Sequence, residues 1–412
     1  MRISTSMMFD TGTQNMLQLQ TGLYKLQNQL STGRRILTPA DDPVAAAQAL
    51  VISQRQSINA QFIDNQGNAE SQLASLETRL NGVSDLISAV KARAVEAGNG
   101  AYSDSDRRTI AAEIRERYEE LQGLANSSDA MGLYVFSGYR GDTQPFSTTG
   151  TPGSRTTVYQ GDDGKRQLQV EAGRMMDVSE SGRDVFIDIP QGNGQFKFSA
   201  IPSSTNPGTG VLGASSVISG FDDSSYELNF NGNGTYNLTV TTNAVPAVTT
   251  LTSNVAYTAG ADITLGPAGQ QFKISISGTP AAGDKFVVNP ASNQDIFKTL
   301  DDMIRTLEGS VSASPATRAA FQNQMTTIGE NLDQALDHLL SKQTSIGARR
   351  LELQSLTDVA TDLNLQYKTD ISGLQDLDYT QAISDMANQK MVLEAAQLSF
   401  KQVSQMSLFN YL

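Results

Sequence analysis

The sequence predicts an α+β, multidomain chain: a long α-helical coiled-coil rod built from both termini, with an inserted all-β domain that is sandwich- or barrel-like. Three observations predict it. Apolar residues alternate at spacings of three and four near both ends. Residues 1 to about 140 and 291 to 412 carry helical periodicity. Residues 150–290 instead turn rich in Thr, Gly, Asn and Ser, with period-two runs. The expected domains are 1–40 with 374–412 as a terminal helical domain, 41–146 with 291–373 as a helical rod, and 150–290 as the insertion.

The terminal seams come first. Phe9, Gly12, Met16, Leu19, Leu23, Leu26, Leu30, Gly33 and Leu37 keep one stripe of a helix toward a partner, which is the coiled-coil condition. Ala382, Met386, Gln389, Leu393, Ala396, Phe400 and Val403 do the same near the other end, and Leu408 and Phe409 extend the apolar character to the last residues. Coiled coils in water place Glu and Lys beside the seam. Here residues 3–33 hold only Asp10 and Lys25, and residues 389–412 only Lys390, Glu394 and Lys401. Gln, Asn, Ser and Thr fill the flanks. Such neutral flanks suit a helix surrounded by other helices, so the two termini are expected to meet each other and then pack among copies. Neither can bury its stripe alone, so the ends are expected to be disordered before assembly.

The remaining elements follow from punctuation. Asp42-Pro43 places a capping carboxylate before a proline at the first helical position. Ala69, Leu73, Leu76, Leu80, Val83, Ile87, Val90 and Ala94 carry the helix on to Gly98. Ser103 or Ser105 caps a shorter helix with Ile110, Ile114, Tyr118, Leu121 and Leu124. The stretch Met131 to Gly138 reads as a strand, turn or small hairpin. In the insertion, Arg166–Glu171 and Asp184–Ile189 alternate with period two, and Tyr226–Phe230, the turn Asn231 to Gly234, and Thr235–Val240 form a hairpin by their turn chemistry. Gln271–Ile276 and Lys285–Asn289 read as further strands. Beyond it, Ile296 to Leu307 is a short helix ending at Gly309. Ser314-Pro315 then restarts a heptad that runs from Phe321 to Tyr367 and is interrupted only by Lys342 and Arg349. A soft joint is expected at Ser372-Gly373.

Composition narrows the function. The formal charge is −13, from 30 basic and 43 acidic residues, with no basic cluster to meet phosphates, so nucleic acid is not an expected partner. There is no cysteine, hence no disulfide framework and no thiol nucleophile. The N-terminus lacks the apolar core of a cleavable signal, and no stretch is long and apolar enough to span a membrane. The single histidine, His338, sits one place before the seam position Leu339 and reads as a flank residue. Neither an HExxH motif nor a phosphate loop is present, and the Asp-Asp pairs fit helix starts and turns. No catalytic residue, cofactor or metal is expected.

The segments MRIST, LSTGRRILTPADDPVAAAQAL (30–50), LANSSDAMGLYVFSGYRGDTQPF (124–146), IGARRLELQS (346–355) and DLDYTQAISDMANQKMVLEAAQLSFKQVSQMSLFNYL (376–412) resemble the flagellin family, and within it the subunits that join hook to filament. The SLFNYL ending distinguishes them from filament flagellins. The resemblance covers residues 1–146 and 291–412 and says little about 190–290. It implies a non-enzymatic structural subunit that forms a homo-oligomeric ring by coiled-coil packing of its terminal helices. The implied contacts are hook-associated protein 1 on one side, flagellin on the other, and an export chaperone near the C-terminal helix before secretion. It also implies export through the flagellar type III apparatus to an extracellular position in the flagellum. The competing readings are a filament flagellin, an enzyme housed in the insertion, and an adhesin using Tyr226, Phe230 and Tyr236 to stack on a glycan.

Overall fold

In the computed structural model, residues 5–129, 131–201, 206–243 and 246–405 are described. They form helices and strands in the order α1 (Thr5–Thr32), α2 (Pro43–Ala97), α3 (Asp104–Ala125), β1 (Phe146–Thr149), β2 (Thr156–Tyr159), β3 (Gln167–Glu171), β4 (Arg174–Asp177), α4 (Gly182–Phe186), β5 (Phe196–Ala200), β6 (Val211–Val217), β7 (Ser225–Phe230), β8 (Thr235–Thr241), β9 (Thr249–Ala256), β10 (Asp262–Leu265), β11 (Phe272–Ser277), β12 (Lys285–Pro290), α5 (Ile296–Glu308), α6 (Pro315–Gln375) and α7 (Tyr379–Gln405). The α+β class holds, with helices at both ends and the β-rich region between them. Two compact units are formed, one from residues 1–66 and 355–412, the other from 67–354.

The larger unit buries the apolar stripes that the heptads mark. Leu73, Leu76, Leu80, Val83, Ile87 and Val90 of α2 are fully covered, as are Leu332, Leu339, Ile346 and Leu353 of α6. Helix α3 starts at a capping box in which Ser103 accepts from the Asp106 amide and Asp106 reaches back to the Ser103 amide. Its Tyr118 leads into a cluster of buried rings in which Phe297 of α5 stacks on Phe146 and Phe186 at centroid distances of 5.2 and 6.0 Å, and Phe136 meets Phe186 at 5.1 Å. The stretch around Met131 is a set of turns tied by a single bridge from Ser128 to Tyr134, and its task is to deliver Phe136 to that cluster.

Two larger sheets share one core. Their orders are β5-β12-β7-β8-β9 and β10-β11-β6, neither of them closed, so no barrel forms. Phe196, Phe198, Tyr226, Leu228, Phe230 and Phe286 from the first sheet pack with Phe272, Ile274 and Ile276 from the second. Tyr226, Phe230 and Tyr236 are thus core residues and offer no exposed platform for a sugar.

Three expectations need correction. Residues 184–189 form no strand: α4 occupies 182–186, capped by Ser181 Oγ on the Arg183 amide at 3.2 Å, because one helical turn buries the adjacent Val185 and Phe186 together. Ser372-Gly373 is no joint. Helix α6 runs through it to Gln375, since one interior glycine costs a helix only about 1 kcal/mol. The break falls where Asp378 accepts the Thr380 and Gln381 amides and starts α7. Leu37 lies beyond α1, which ends at Thr32.

The two interruptions in the α6 heptad are attachment points. Lys342 Nζ meets Asp184 at 2.7 Å, and Arg349 Nη2 meets Glu180 at 2.7 Å. Glu180 is only 2% exposed at its side chain and is also met by Lys165 at 2.7 Å. His338 Nε2 lies 2.6 Å from the Asp184 carbonyl, so this residue is a contact to the inserted region rather than a free flank. Farther up α6, Asn323 works as a surrogate strand for β6: its Oδ1 accepts from the Leu212 amide at 2.7 Å and its Nδ2 donates to the Gly210 carbonyl at 3.0 Å. Glu330 faces Ser215 of β6, with Asp333 on its own helix and Lys197 of β5 nearby; burial pushes its carboxyl up to about 7.

Arg349→Met leaves the buried Glu180 short of a partner and is expected to lower stability by about 3 kcal/mol. Adding Glu180→Gln should recover most of that loss, as read from urea midpoints. The raised Glu330 carboxyl means that folding takes up a proton between about 4.5, the ordinary value, and about 7. Stability from this group is present below that window, falls as pH rises through it, and is flat above. Glu330→Gln should therefore gain midpoint relative to the natural chain between pH 4.5 and 7.5 and differ little at pH 4.

Candidate assembly interface

The smaller unit carries the residues that the seams singled out. Helices α1 and α7 run antiparallel and in contact. Phe9 and Phe400 meet edge to face, with ring centroids 5.5 Å apart. Along α1, Phe9, Met16, Leu19, Leu23, Leu26 and Leu30 are partly buried, and along α7 Met386, Leu393, Ala396 and Phe400 are partly buried as well. Ala382 is the one fully buried seam residue of α7, and Val403 stays exposed. Leu408 and Phe409 lie outside the described residues.

A backbone clasp joins the end of α1 to the start of α7. Gly33 takes a left-handed φ of 70° that lets the chain leave α1. Its carbonyl accepts from the Leu377 amide at 2.9 Å, the Arg35 amide donates to the Gln375 carbonyl at 2.7 Å, and the Arg35 guanidinium donates to the Leu374 carbonyl at 2.8 Å. This clasp was not visible in the sequence, because backbone pairing leaves no periodic signal.

The turn into α2 is built from the acidic pair. Asp42 Oδ1 accepts from the Ala45 amide at 3.0 Å with Pro43 as the first helical residue, which is the cap its position suggested. That amide holds the Asp42 carboxyl below its ordinary range. Asp41 pairs with Lys25 at 2.5 Å and accepts the Thr38 amide at 2.8 Å, and these bring its carboxyl down to about 2. Lys25 is one of the two charges on α1, and its use here leaves the helix flank still more neutral.

Beyond the seam, both helices present a second apolar row to solvent. Leu17 and Tyr24 of α1 are 63% and 64% exposed, and Met391 and Leu398 of α7 are 67% and 64% exposed. The portions of α2 and α6 in this unit behave alike. Asn59 Nδ2 donates to the Ala360 carbonyl at 2.7 Å and Gln56 to Asn364 at 3.0 Å, while Leu50, Val359 and Leu365 stay exposed. Pairing within one chain therefore half-covers the α1 and α7 seams and leaves apolar surface exposed, on α1 with only Asp10 and Lys25 as charges. Such a surface fits further helices of the same neutral character.

Comparison with known proteins places the chain among flagellar proteins. Residues 3–140 match the bacterial flagellin N-terminal helical region. Over 409 residues, covering 99% of both chains, the sequence is 26% identical to flagellar hook-associated protein 3 of Salmonella typhimurium. The fold is similar to the crystal structure of flagellar hook-associated protein 3 from Legionella pneumophila, at 30% identity and a TM-score of 0.69 over 79% of this chain and 98% of that one. A second structure, titled the flagellar junction protein FlgL from Legionella pneumophila, matches at 29% identity and a TM-score of 0.68 over 80% of this chain and all of that one.

Proposed function

This chain belongs to the flagellar hook-associated protein 3 family, and from that premise we propose that it is a structural subunit of the junction between hook-associated protein 1 and the flagellin filament. The relatives are flagellar structural proteins, so at the level of the family the chain is no enzyme. The observation that carries the junction reading is the half-covered, charge-poor pair α1–α7, whose second apolar row requires neighbours. Coiled-coil packing of residues 1–40 and 374–412 from many copies closes an inner tube. Residues 41–146 with 291–373 form the layer around it, and the region 150–290, with its two sheets packed as a sandwich, projects outward. The assembly seam comprises Phe9, Met16, Leu19, Leu23, Leu26, Leu30, Met386, Leu393, Ala396, Phe400, Val403, Leu408 and Phe409, with Asp42 and Pro43 fixing the turn into the next layer.

In this reading the subunit leaves the cell unfolded through the flagellar type III apparatus, shielded by an export chaperone near α7, and orders its ends on docking into a ring of its own copies. A burial-driven docking step of this kind would release slowly and keep the subunit monomeric beforehand. A filament flagellin shares the helical ends, but it would extend into long filaments from seeds, whereas a junction subunit stops after its own layer.

Cells lacking this chain should build hooks and shed flagellin into the medium; normal filaments in such cells would refute the junction role. Deleting residues 1–33 or 379–412 should abolish incorporation while leaving the unit 67–354 folded by circular dichroism. In the free subunit, amide signals from residues 5–30 should be poorly dispersed and fast to exchange; slow, dispersed signals would count against ordering on docking.

A further inference from the structure

Two glycines of α1, and Gly33 just past its end, lie beneath three large side chains of α7. A Cβ on Gly12 would stand 2.9 Å from the Phe400 ring, one on Gly33 would stand 2.9 Å from the Tyr379 hydroxyl, and one on Gly22 would run into the Gln389 amide. The pairs keep step. The glycines advance by ten and then eleven residues, while Phe400, Gln389 and Tyr379 recede by eleven and then ten. Three helical turns take about 10.8 residues, so all three notches fall on one face of α1 and all three side chains on one face of α7.

Gly33 is explained by its left-handed backbone. Gly12 and Gly22 are not: both sit inside α1 with ordinary helical backbone, where glycine is a poor helix former. What they supply is room. The clasp at Gly33, Arg35, Gln375 and Leu377 aligns the two helices at one end. From that alignment Phe400 reaches α1 at Gly12, where Phe9 also meets its ring edge to face. A slip of one turn would instead bring Phe400 against the side chain of Met16, a partly buried seam residue, in place of a glycine. The Gln389 amide is the far end of a flexible chain and can move aside, whereas the Phe400 ring cannot fold away.

We infer that Gly12 and Gly22 are register-determining positions: they admit Phe400 and Gln389 only when α1 and α7 are aligned from the clasp, with Gly12–Phe400 making the discrimination. The flanks of this seam carry few charges, and the notches add a steric requirement on the register. The inference stands on the α1–α7 pair and extends the assembly role proposed above.

Disulfide trapping tests it, on a chain that has no cysteine of its own. Leu19→Cys with Leu393→Cys probes the native register, and Leu19→Cys with Ala396→Cys probes a one-turn slip. Both are measured in flagella isolated from cells in which this chain replaces the resident copy. The native-register product should dominate. Gly12→Ala should cut its yield at least about fivefold, the lower end of what overpacking a contact costs. Phe400→Leu added to Gly12→Ala should restore it. A helix-propensity effect alone would move the yield the other way, since alanine favours helix. The inference is overturned if Gly12→Ala leaves the native-register yield unchanged, or if Phe400→Leu fails to restore it. Absence of both double-cysteine chains from the flagella, with Gly12 intact, counts instead against the assembly role; absence of only the Gly12→Ala chain, reversed by Phe400→Leu, counts as loss of the native register, and absence that Phe400→Leu does not reverse overturns the inference.

Discussion

Two long helices carry apolar stripes that run farther than the cover available to them, and the rest of the architecture answers that mismatch. Helix α2 spans 55 residues and α6 spans 61. From Ala69 to Ala94 and from Phe321 to Leu353 the stripes are buried, and over this stretch α2 and α6 are joined by the pairs Lys91–Asp333, Gln343–Ser84 and Arg350 with Glu70 and Glu77. Toward the ends that lie in the smaller unit the burial thins: Ala45, Ala49 and Ala360 are covered, while Leu50, Val359, Leu363 and Leu365 are exposed. Apolar surface in water costs on the order of 25 cal/mol per Å², so a stripe left open over several turns is a standing demand for a partner. In the smaller unit α1 and α7 meet each other, and apolar residues of α2 and α6 such as Leu50, Val359 and Leu365 stay exposed.

The inserted region is held by polar groups placed within the apolar stripe. Lys342 and Arg349 occupy heptad positions, where a cation would normally weaken a seam. Each reaches a carboxylate of the insertion, and His338 and Asn323 reach its backbone. Polar partners are directional, which apolar packing is not. A buried carboxylate such as Glu180 accepts one arrangement of its cations, so the insertion is attached to α6 in one orientation.

Charge is distributed with the same logic. The net charge of −13 keeps free copies apart, yet the terminal helices are nearly neutral. Repulsion therefore acts mainly between the bodies and is weak along the terminal helices. Between α1 and α7 the alignment has shape to draw on: a clasp of hydrogen bonds at one end and glycine notches along the helix.

The amino-acid sequence by itself determined the elements that rest on local rules. The three/four alternation marked which face of α1 and α7 would turn inward, Asp42-Pro43 marked the start of α2, and turn chemistry marked the β7–β8 hairpin, because each is a property of neighbours along the chain. Tertiary structure decided whatever depends on a partner far away. It made a helical turn of residues 182–186, where a strand had been expected over 184–189, so that Phe186 joins Phe146 and Phe297. It made attachment points of Lys342, Arg349 and His338, which in the sequence are two flaws and a bystander, and it gave Gly12 its use only by placing Phe400 above it. Periodicity records that a residue faces something; what it faces is set by segments hundreds of residues away, and no local pattern encodes that distance.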